Sequence, residues 1–301
     1  MDVSKLYGTG VAMVTPFTAH LEIDFDALEK LLERIISGGV NYLVVMGTTG
    51  EASTLSLKEK QAILNFVIEK NAGRLPIVYG IGGNSTLDVV ERLEEQRYDG
   101  IDAILSVAPY YNKPSQEGYI YHYEKVADAS KRPVIMYNVP GRTAGNMEAA
   151  TTIALSKHPN IVAMKEASGD LVQCMKIAAE TPDDFLLISG DDMLTVPMIS
   201  AGAKGVISVI ANLLPDEFSS TVDLALQHRF SEAMGIQYRL LEVNDFLFKE
   251  GNPAGLKAGL KHLGIMGDTL RPPLLPVSKS LEETISRWAE KDAVGRVLTH
   301  D

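Results

Sequence analysis

Eight short, almost unbroken apolar runs recur along the chain, each giving way to a polar or glycine-rich turn and then to a longer amphipathic segment. They are GVAMVTPF around Val11, YLVVMG around Val44, PIVYGIG around Val78, AILSVAP around Leu105, VIMYNVP around Met136, IVAMKEA around Ala163, FLLISG around Leu187 and GVISVI around Ile207. Short apolar runs bounded by turn residues read as strands, and strands apolar on both faces belong to a parallel sheet covered on both sides. Segments such as DFDALEKLLERIISGG, SLKEKQAILNFVIEKNAG and STLDVVERLEEQRYDG repeat apolar residues every three or four positions, the period of a helix laid over a sheet. Eight such units predict an α/β fold closed as a (β/α)8 TIM barrel rather than an open doubly wound sheet.

The chain continues beyond the eighth strand for longer than barrel closure requires. FSEAMGIQYRLLEVNDFLFKEGNPAGLKAGLKHLGI and SLEETISRWAEKDAVGRV read as further helices. The pattern therefore divides into a barrel over residues 1–215 and a C-terminal helical region over 216–301 packed on it. No linker rich in Pro, Gly and Ser marks an independent domain.

Composition narrows the functions available to such a barrel. Of 301 residues, 39 are acidic and 28 basic, a formal net charge of -11, which argues against a nucleic-acid partner because phosphate binding needs clustered positive charge. A small anionic substrate remains compatible, since one placed arginine holds a carboxylate on an acidic protein. The single cysteine, Cys174, excludes an intrachain disulfide framework and fits a reducing compartment. No basic segment followed by a long apolar run opens the chain, and no run approaches the roughly 20 apolar residues of a spanning helix. A cytoplasmic protein is the simplest expectation.

Barrel chemistry sits where the strands end at their carboxyl side. Lys165 closes the sixth apolar run, and an ammonium there is costly unless paired or neutral. It reads either as half of a buried ion pair or as a nucleophilic amine. Adjacent strand residues face opposite ways, so Glu166 is a poor partner, which favours the amine.

The other strand ends supply candidates around it. Gly47-Thr48-Thr49-Gly50-Glu51 offers hydroxyls and backbone N–H groups to an anion, or is an ordinary glycine turn. Of the adjacent Tyr110 and Tyr111, one is expected to pack and the other to offer its hydroxyl to the site or to a neighbouring subunit. Tyr137 is placed to relay protons, and Arg142, after Pro140 and Gly141, to hold a carboxylate unless it is simply solvated. Gly190 gives a ligand access to backbone, Asp191 and Asp192 are expected to cap the next helix, and Ile207 lies near the pocket floor. With no HExxH and no close Cys/His grouping, no metal site is expected. GIGGNST fits neither a dinucleotide fingerprint nor a phosphate loop.

GTTGE at 47–51, PYYNKP at 109–114, YNVPGRT at 137–143, KEASGD at 165–170, SGDD at 189–192 and GNPAGLKAGL from Gly251 together resemble the pyruvate-dependent Schiff-base lyases, specifically their dihydrodipicolinate synthase branch. The resemblance spans essentially the whole chain. It implies no cofactor beyond a covalent pyruvate Schiff base on Lys165, with Tyr137, Thr49 and the partner subunit's Tyr111 as a proton relay. Thr48 and Thr49 would hold the pyruvate-derived carboxylate, Arg142 that of aspartate-semialdehyde, and Gly190 and Ile207 would line the site. The implied reaction joins pyruvate to L-aspartate 4-semialdehyde on the diaminopimelate route to lysine. The implied assembly is a homotetramer, a dimer of dimers.

Aldolases with the same lysine chemistry, such as N-acetylneuraminate lyase, 2-keto-3-deoxygluconate aldolase and 4-hydroxy-2-oxoglutarate aldolase, are the alternative enzymes. A non-catalytic keto-acid-binding barrel is the alternative of a different class. Feedback-sensitive relatives bind lysine at a dimer interface, where Asn84 and Tyr110 are the matching positions here. Leu57 and Lys60 stand where sensitive relatives carry histidines, so weakened inhibition is expected.

Overall fold

A computed structural model describes residues 2–298, with side chains through 291; residues 1 and 299–301, included in the sequence-based division, lie outside the described residues. Eight parallel strands close on themselves in chain order: β1 Gly8–Ala12, β2 Tyr42–Val45, β3 Ile77–Gly80, β4 Ala103–Val107, β5 Val134–Asn138, β6 Ile161–Glu166, β7 Leu186–Ser189 and β8 Gly205–Ser208. Closure pairs Gly8 with Gly205 and Val11 with Ser208. This is the expected TIM barrel with additional C-terminal helices.

Helices alternate with the strands: α1 Phe25–Ser37, α2 Leu57–Asn71, α3 Thr86–Glu95, α4 Gln116–Ala129, a single turn α5 Pro140–Thr143, α6 Ala149–Leu155, α7 Leu171–Glu180, α8 Thr195–Ser200 and α9 Pro215–Leu226. Their starts are written in the sequence. Asp24 caps α1 by accepting from Ala27 N, and Ser56 with Glu59 forms a reciprocal capping box on α2, a device typically worth about 1 kcal/mol. Along α1, Leu28, Leu31, Leu32 and Ile35 are buried, the stripe its periodicity predicts.

Period-two alternation sorts the strand residues into two cores. Val11, Leu43, Val45, Ile104, Met136, Met164 and Leu187 pack in the layer between sheet and helices. Ala12, Tyr42, Val44, Val78, Leu105, Ile135, Tyr137, Ala163, Ile188 and Ile207 fill the barrel interior. Tyr42 crosses that interior and donates to the Val206 carbonyl at 3.2 Å. Gly10 makes room for it, since a Cβ at residue 10 would lie 2.1 Å from the ring.

Beyond α9 come α10 Phe230–Arg239, α11 Leu241–Lys249, α12 Ala254–His262 and α13 Lys279–Leu298. Leu281, Ile285 and Trp288 of α13 are buried, and Trp288 meets Phe246 of α11 with ring centroids 5.2 Å apart. The segment around α12 reaches the end of β2. Lys257 Nζ lies 2.6 Å from Glu51 Oε1, both side chains fully buried, while its aligned hydrogen bond goes to the Thr269 carbonyl at 2.8 Å. Arg271 N donates to Glu51 Oε2 at 3.1 Å. Among the described residues no helix is long and apolar enough to cross a membrane.

Candidate active site

Parallel pairing of β5 with β6 sets Tyr137 beside Lys165 and Asn138 beside Glu166. One pair faces into the barrel and the other faces out, because side chains alternate along a strand. Behind the strands, Glu166 accepts from Asn138 Nδ2 at 3.0 and 3.1 Å, Gln173 Nε2 at 2.9 Å and Ser168 N at 2.7 Å. It is therefore satisfied without Lys165. This polar clasp joins the ends of β5 and β6 and fixes how their inward residues meet.

Lys165 is 6% exposed, and its Nζ lies 4.2 Å from the centroid of the Tyr137 ring. It forms neither a hydrogen bond nor an ion pair among the described residues. Burial lowers its pKa to about 8; the Asp192 charge works against that shift and the Arg142 charge adds to it. An amine so placed gives up its proton far more readily than a surface lysine. Gly190, at the end of β7, keeps the space open: a Cβ there would stand 3.1 Å from Lys165 Cε and 2.7 Å from Ala167 Cβ.

Burial pushes the Tyr137 phenol up to about 12, opposed by the Arg142 charge and a hydrogen bond with Thr48. The structure thus brings Thr48, rather than Thr49, to Tyr137. After β2 the backbone turns tightly over Thr48–Gly50, which leaves Thr48 exposed and Thr49 buried. The Thr49 hydroxyl accepts from Asn252 Nδ2 at 2.9 Å.

Asn252 carried no weight in the sequence reading beyond its place in GNPAGLKAGL. Its carbonyl also accepts from Arg142 Nη2 at 3.4 Å, so it joins the β2 turn to the β5 turn, and its own Oδ1 is buried without a partner among the described residues. The signal available in the sequence was a polar, turn-forming Gly-Asn-Pro ahead of an apolar helix. Nothing in it indicated contact with a residue 203 positions away.

The expectation for the aspartate pair holds for one of the two. Asp191 does bond the turn into α8, accepting from Met193 N at 2.9 Å and Leu194 N at 3.2 Å. Asp192 instead turns inward, and its Oδ2 accepts from Ile210 N at 2.9 Å and Val209 N at 3.0 Å, tying the end of β7 to that of β8. Burial raises its pKa to about 6 against those hydrogen bonds. Of the tyrosine pair, Tyr110 is partly covered at 41% exposure and Tyr111 stands out at 87%. The backbone has left extended geometry there, with Tyr111 at φ 75° and Asn112 N bonded to the Tyr110 carbonyl.

The remaining positions fall at different distances from this centre. Ile207 is buried on the inner face of β8. Arg142 sits in the α5 turn, exposed, yet its charge acts on both Lys165 and Tyr137. Asn84 lies in the loop after β3, where its carbonyl accepts from Asn112 Nδ2 at 2.8 Å. Among the described residues no group of three His, Cys, Asp or Glu is placed to hold a metal ion.

Comparison with known proteins places this arrangement. The Dihydrodipicolinate synthetase family profile matches residues 5–292. The chain is similar to the 4-hydroxy-tetrahydrodipicolinate synthases of Flavobacterium psychrophilum, 49% identical over 94% of this chain and 97% of that protein, and of Porphyromonas gingivalis, 46% identical over 95% and 97%. Among solved structures, it superposes on the Acinetobacter baumannii dihydrodipicolinate synthase complexed with pyruvate with a TM-score of 0.92, at 38% identity and covering 95% and 98% of the two chains. The Aquifex aeolicus enzyme gives a TM-score of 0.91 at 36% identity, covering 95% and 98%. The chain belongs to the dihydrodipicolinate synthetase family.

Proposed function

We propose that this chain condenses pyruvate with L-aspartate 4-semialdehyde through a Schiff base on Lys165, giving 4-hydroxy-tetrahydrodipicolinate and water. The observation that carries the residue assignment is the unpaired, buried Lys165 amine against the face of Tyr137. The neutral amine adds to the ketone carbon of pyruvate, and loss of the ketone oxygen as water leaves an iminium. That cation stabilises departure of a methyl proton, forming the enamine. The enamine carbon attacks the aldehyde, whose oxygen takes up a proton and becomes the 4-hydroxyl. The substrate's own amine then adds to the iminium carbon, closing the ring and expelling Lys165.

Tyr137 is the group placed to move these protons, with the Thr48 hydroxyl as its neighbour in the relay. Thr49 and Asn252 shape the seat of the pyruvate carboxylate, and Arg142 receives the carboxylate of the semialdehyde. The exposure of Tyr111 supports a role across a subunit contact in a homotetramer, where it would reach the partner's site. In this reading the barrel carries the catalysis, helices α10–α13 brace it, and the protein works in the cytoplasm.

The test is a pH series of pyruvate trapping with borohydride, followed by a choice of aldehyde. Only neutral Lys165 attacks, so trapping should rise about tenfold per pH unit below about 8 and level off above it. A rate that is flat from pH 6 to about 9 would oppose Lys165 as the titrating amine. The trapping-competent enzyme should consume aspartate-semialdehyde in preference to sugar aldehydes; the reverse preference would assign it to the aldolases.

Asn252→Ala tests the link between the two carboxylate seats. It removes the Thr49 tether, and kcat/KM should fall roughly tenfold, corresponding to about 1.4 kcal/mol, with the change concentrated in KM. Unchanged steady-state constants would show that Asn252 does not set the geometry of the seats.

A further inference from the structure

Pairing of β6 with β7 sets Lys165 beside Ile188 and Glu166 beside Ser189, and a Cβ on Gly190 would stand 3.1 Å from Lys165 Cε. The turn that follows, into α8, carries Asp192, which is 3% exposed. Its Oδ2 accepts from Val209 N and Ile210 N, whereas Oδ1 is also buried and has no partner among the described residues. The tie from β7 to β8 thus occupies one oxygen only. An amide oxygen would accept the same two bonds without the cost of burying a charge, so the tie by itself does not call for a carboxylate.

The Asp192 charge reaches Lys165. It favours the cationic form of that amine, while burial and the Arg142 guanidinium disfavour it. Carboxylates on the neighbouring elements are engaged elsewhere: Glu166 with Asn138, Gln173 and Ser168, Glu51 with Lys257, and Asp191 with the N–H groups of its own turn. Burial and the like charge of Asp191 oppose ionisation of Asp192, and the Ser208 side chain and two backbone N–H groups favour it. The balance leaves Asp192 charged above about pH 6.

The condensation proposed above makes use of such a charge, and the inference rests on that reading of Lys165. When the neutral amine condenses with the pyruvate ketone, a C=N bond forms, the ketone oxygen leaves as water and one proton is taken up. A buried neutral nitrogen becomes a buried cation, which is costly unless a counter-charge meets it. We propose that Asp192 is that counter-charge: from the end of β7 its carboxylate favours the iminium on Lys165 over the neutral amine. It is a positioning residue, acting through Lys165. The pyruvate carboxylate, seated at the β2 turn, lies three strands round the barrel from β7, so its repulsion from Asp192 is the weaker effect.

The experiment follows borohydride trapping of pyruvate against pH and against pyruvate concentration in wild type, Asp192→Asn and Asp192→Ala. The wild-type trapping rate should have its midpoint at about 8. Both variants should lower that midpoint by about one pH unit, and at about pH 9.5, where all three amines are neutral, both should need roughly tenfold more pyruvate for half-saturation. A residue that only ties β7 to β8 behaves otherwise: the amide keeps an acceptor for Val209 N and Ile210 N, so Asp192→Asn would trap as wild type does and only Asp192→Ala would lose affinity. That pattern, a midpoint that stays or rises in Asp192→Asn, or a lowered midpoint without the loss of affinity overturns the proposal. Wild type that traps no pyruvate on Lys165 overturns the reading on which it rests. Asp192→Asn should melt at or above the wild-type temperature near neutral pH, because the raised Asp192 pKa means that the folded state already disfavours the charge it removes. Asp192→Ala reads the same charge without introducing an amide N–H group.

Discussion

Lys165→Ala should abolish the borohydride-trapped pyruvate adduct and lower turnover by roughly 10^4-fold or more, the scale at which enzymes lose a covalent nucleophile. Peptide mass spectrometry of wild type should find the reduced adduct on Lys165 alone. An adduct on another lysine, or near-normal turnover in the variant, would move the chemistry elsewhere in the chain. The variant should still fold, because Lys165 makes no hydrogen bond or ion pair among the described residues that its loss would orphan. Its side chain leaves a cavity, but the buried charge goes with it.

That charge gives a second readout for the same variant. The native state lowers the Lys165 pKa from 10.5 to about 8, so between those values the unfolded chain binds more protons than the folded one. Wild-type stability therefore declines as pH falls through that window and is independent of this group below about 8. The alanine variant should lack this slope. Denaturant titrations of both proteins across the window would expose the difference, and parallel curves would mean that Lys165 titrates alike in both states.

The largest effect on stability is expected at Glu51 and Lys257. Lys257→Met leaves a fully buried carboxylate without its counter-charge, a change that typically costs about 3–5 kcal/mol. Equilibrium denaturation would measure it. Glu51 carries a left-handed backbone, φ 53°, directly after the Thr48–Gly50 turn, so its displacement should also disturb the pyruvate seat. Activity per folded molecule should fall as well. Adding Glu51→Gln to Lys257→Met removes the orphaned charge and should recover part of the stability. A single variant within about 1 kcal/mol of wild type would show that Arg271 and the Phe17 ring, 4.2 Å from Lys257 Nζ, sustain the segment without the pair.

The site was legible wherever it depended on strand periodicity. IVAMKEA and VIMYNVP are consecutive strands, so their last inward residues had to be neighbours, and Lys165 and Tyr137 are paired across β5 and β6. The exclusion of Glu166 rested on the same alternation. Legibility failed in the turns. Thr48 and Thr49 are equivalent by composition, and only the tight turn sends one hydroxyl to Tyr137 and the other to Asn252. Asp191 and Asp192 are likewise alike in sequence, yet one serves its own turn and the other reaches Val209 and Ile210. At the tyrosine pair the chain turns, with Tyr111 at a positive φ, and nothing in the apolar run before it announces that turn.

The sequence by itself determined the eight apolar runs, the helices between them, their order around the barrel and a lysine at the sixth strand's end. Burial along an element leaves a periodic trace in the residues of that element. Only the tertiary structure decided that Asn252 meets Thr49 and that Lys257 meets Glu51. Those contacts join segments far apart in the chain, and their geometry is set by loop dihedrals and helix packing, which no local period records.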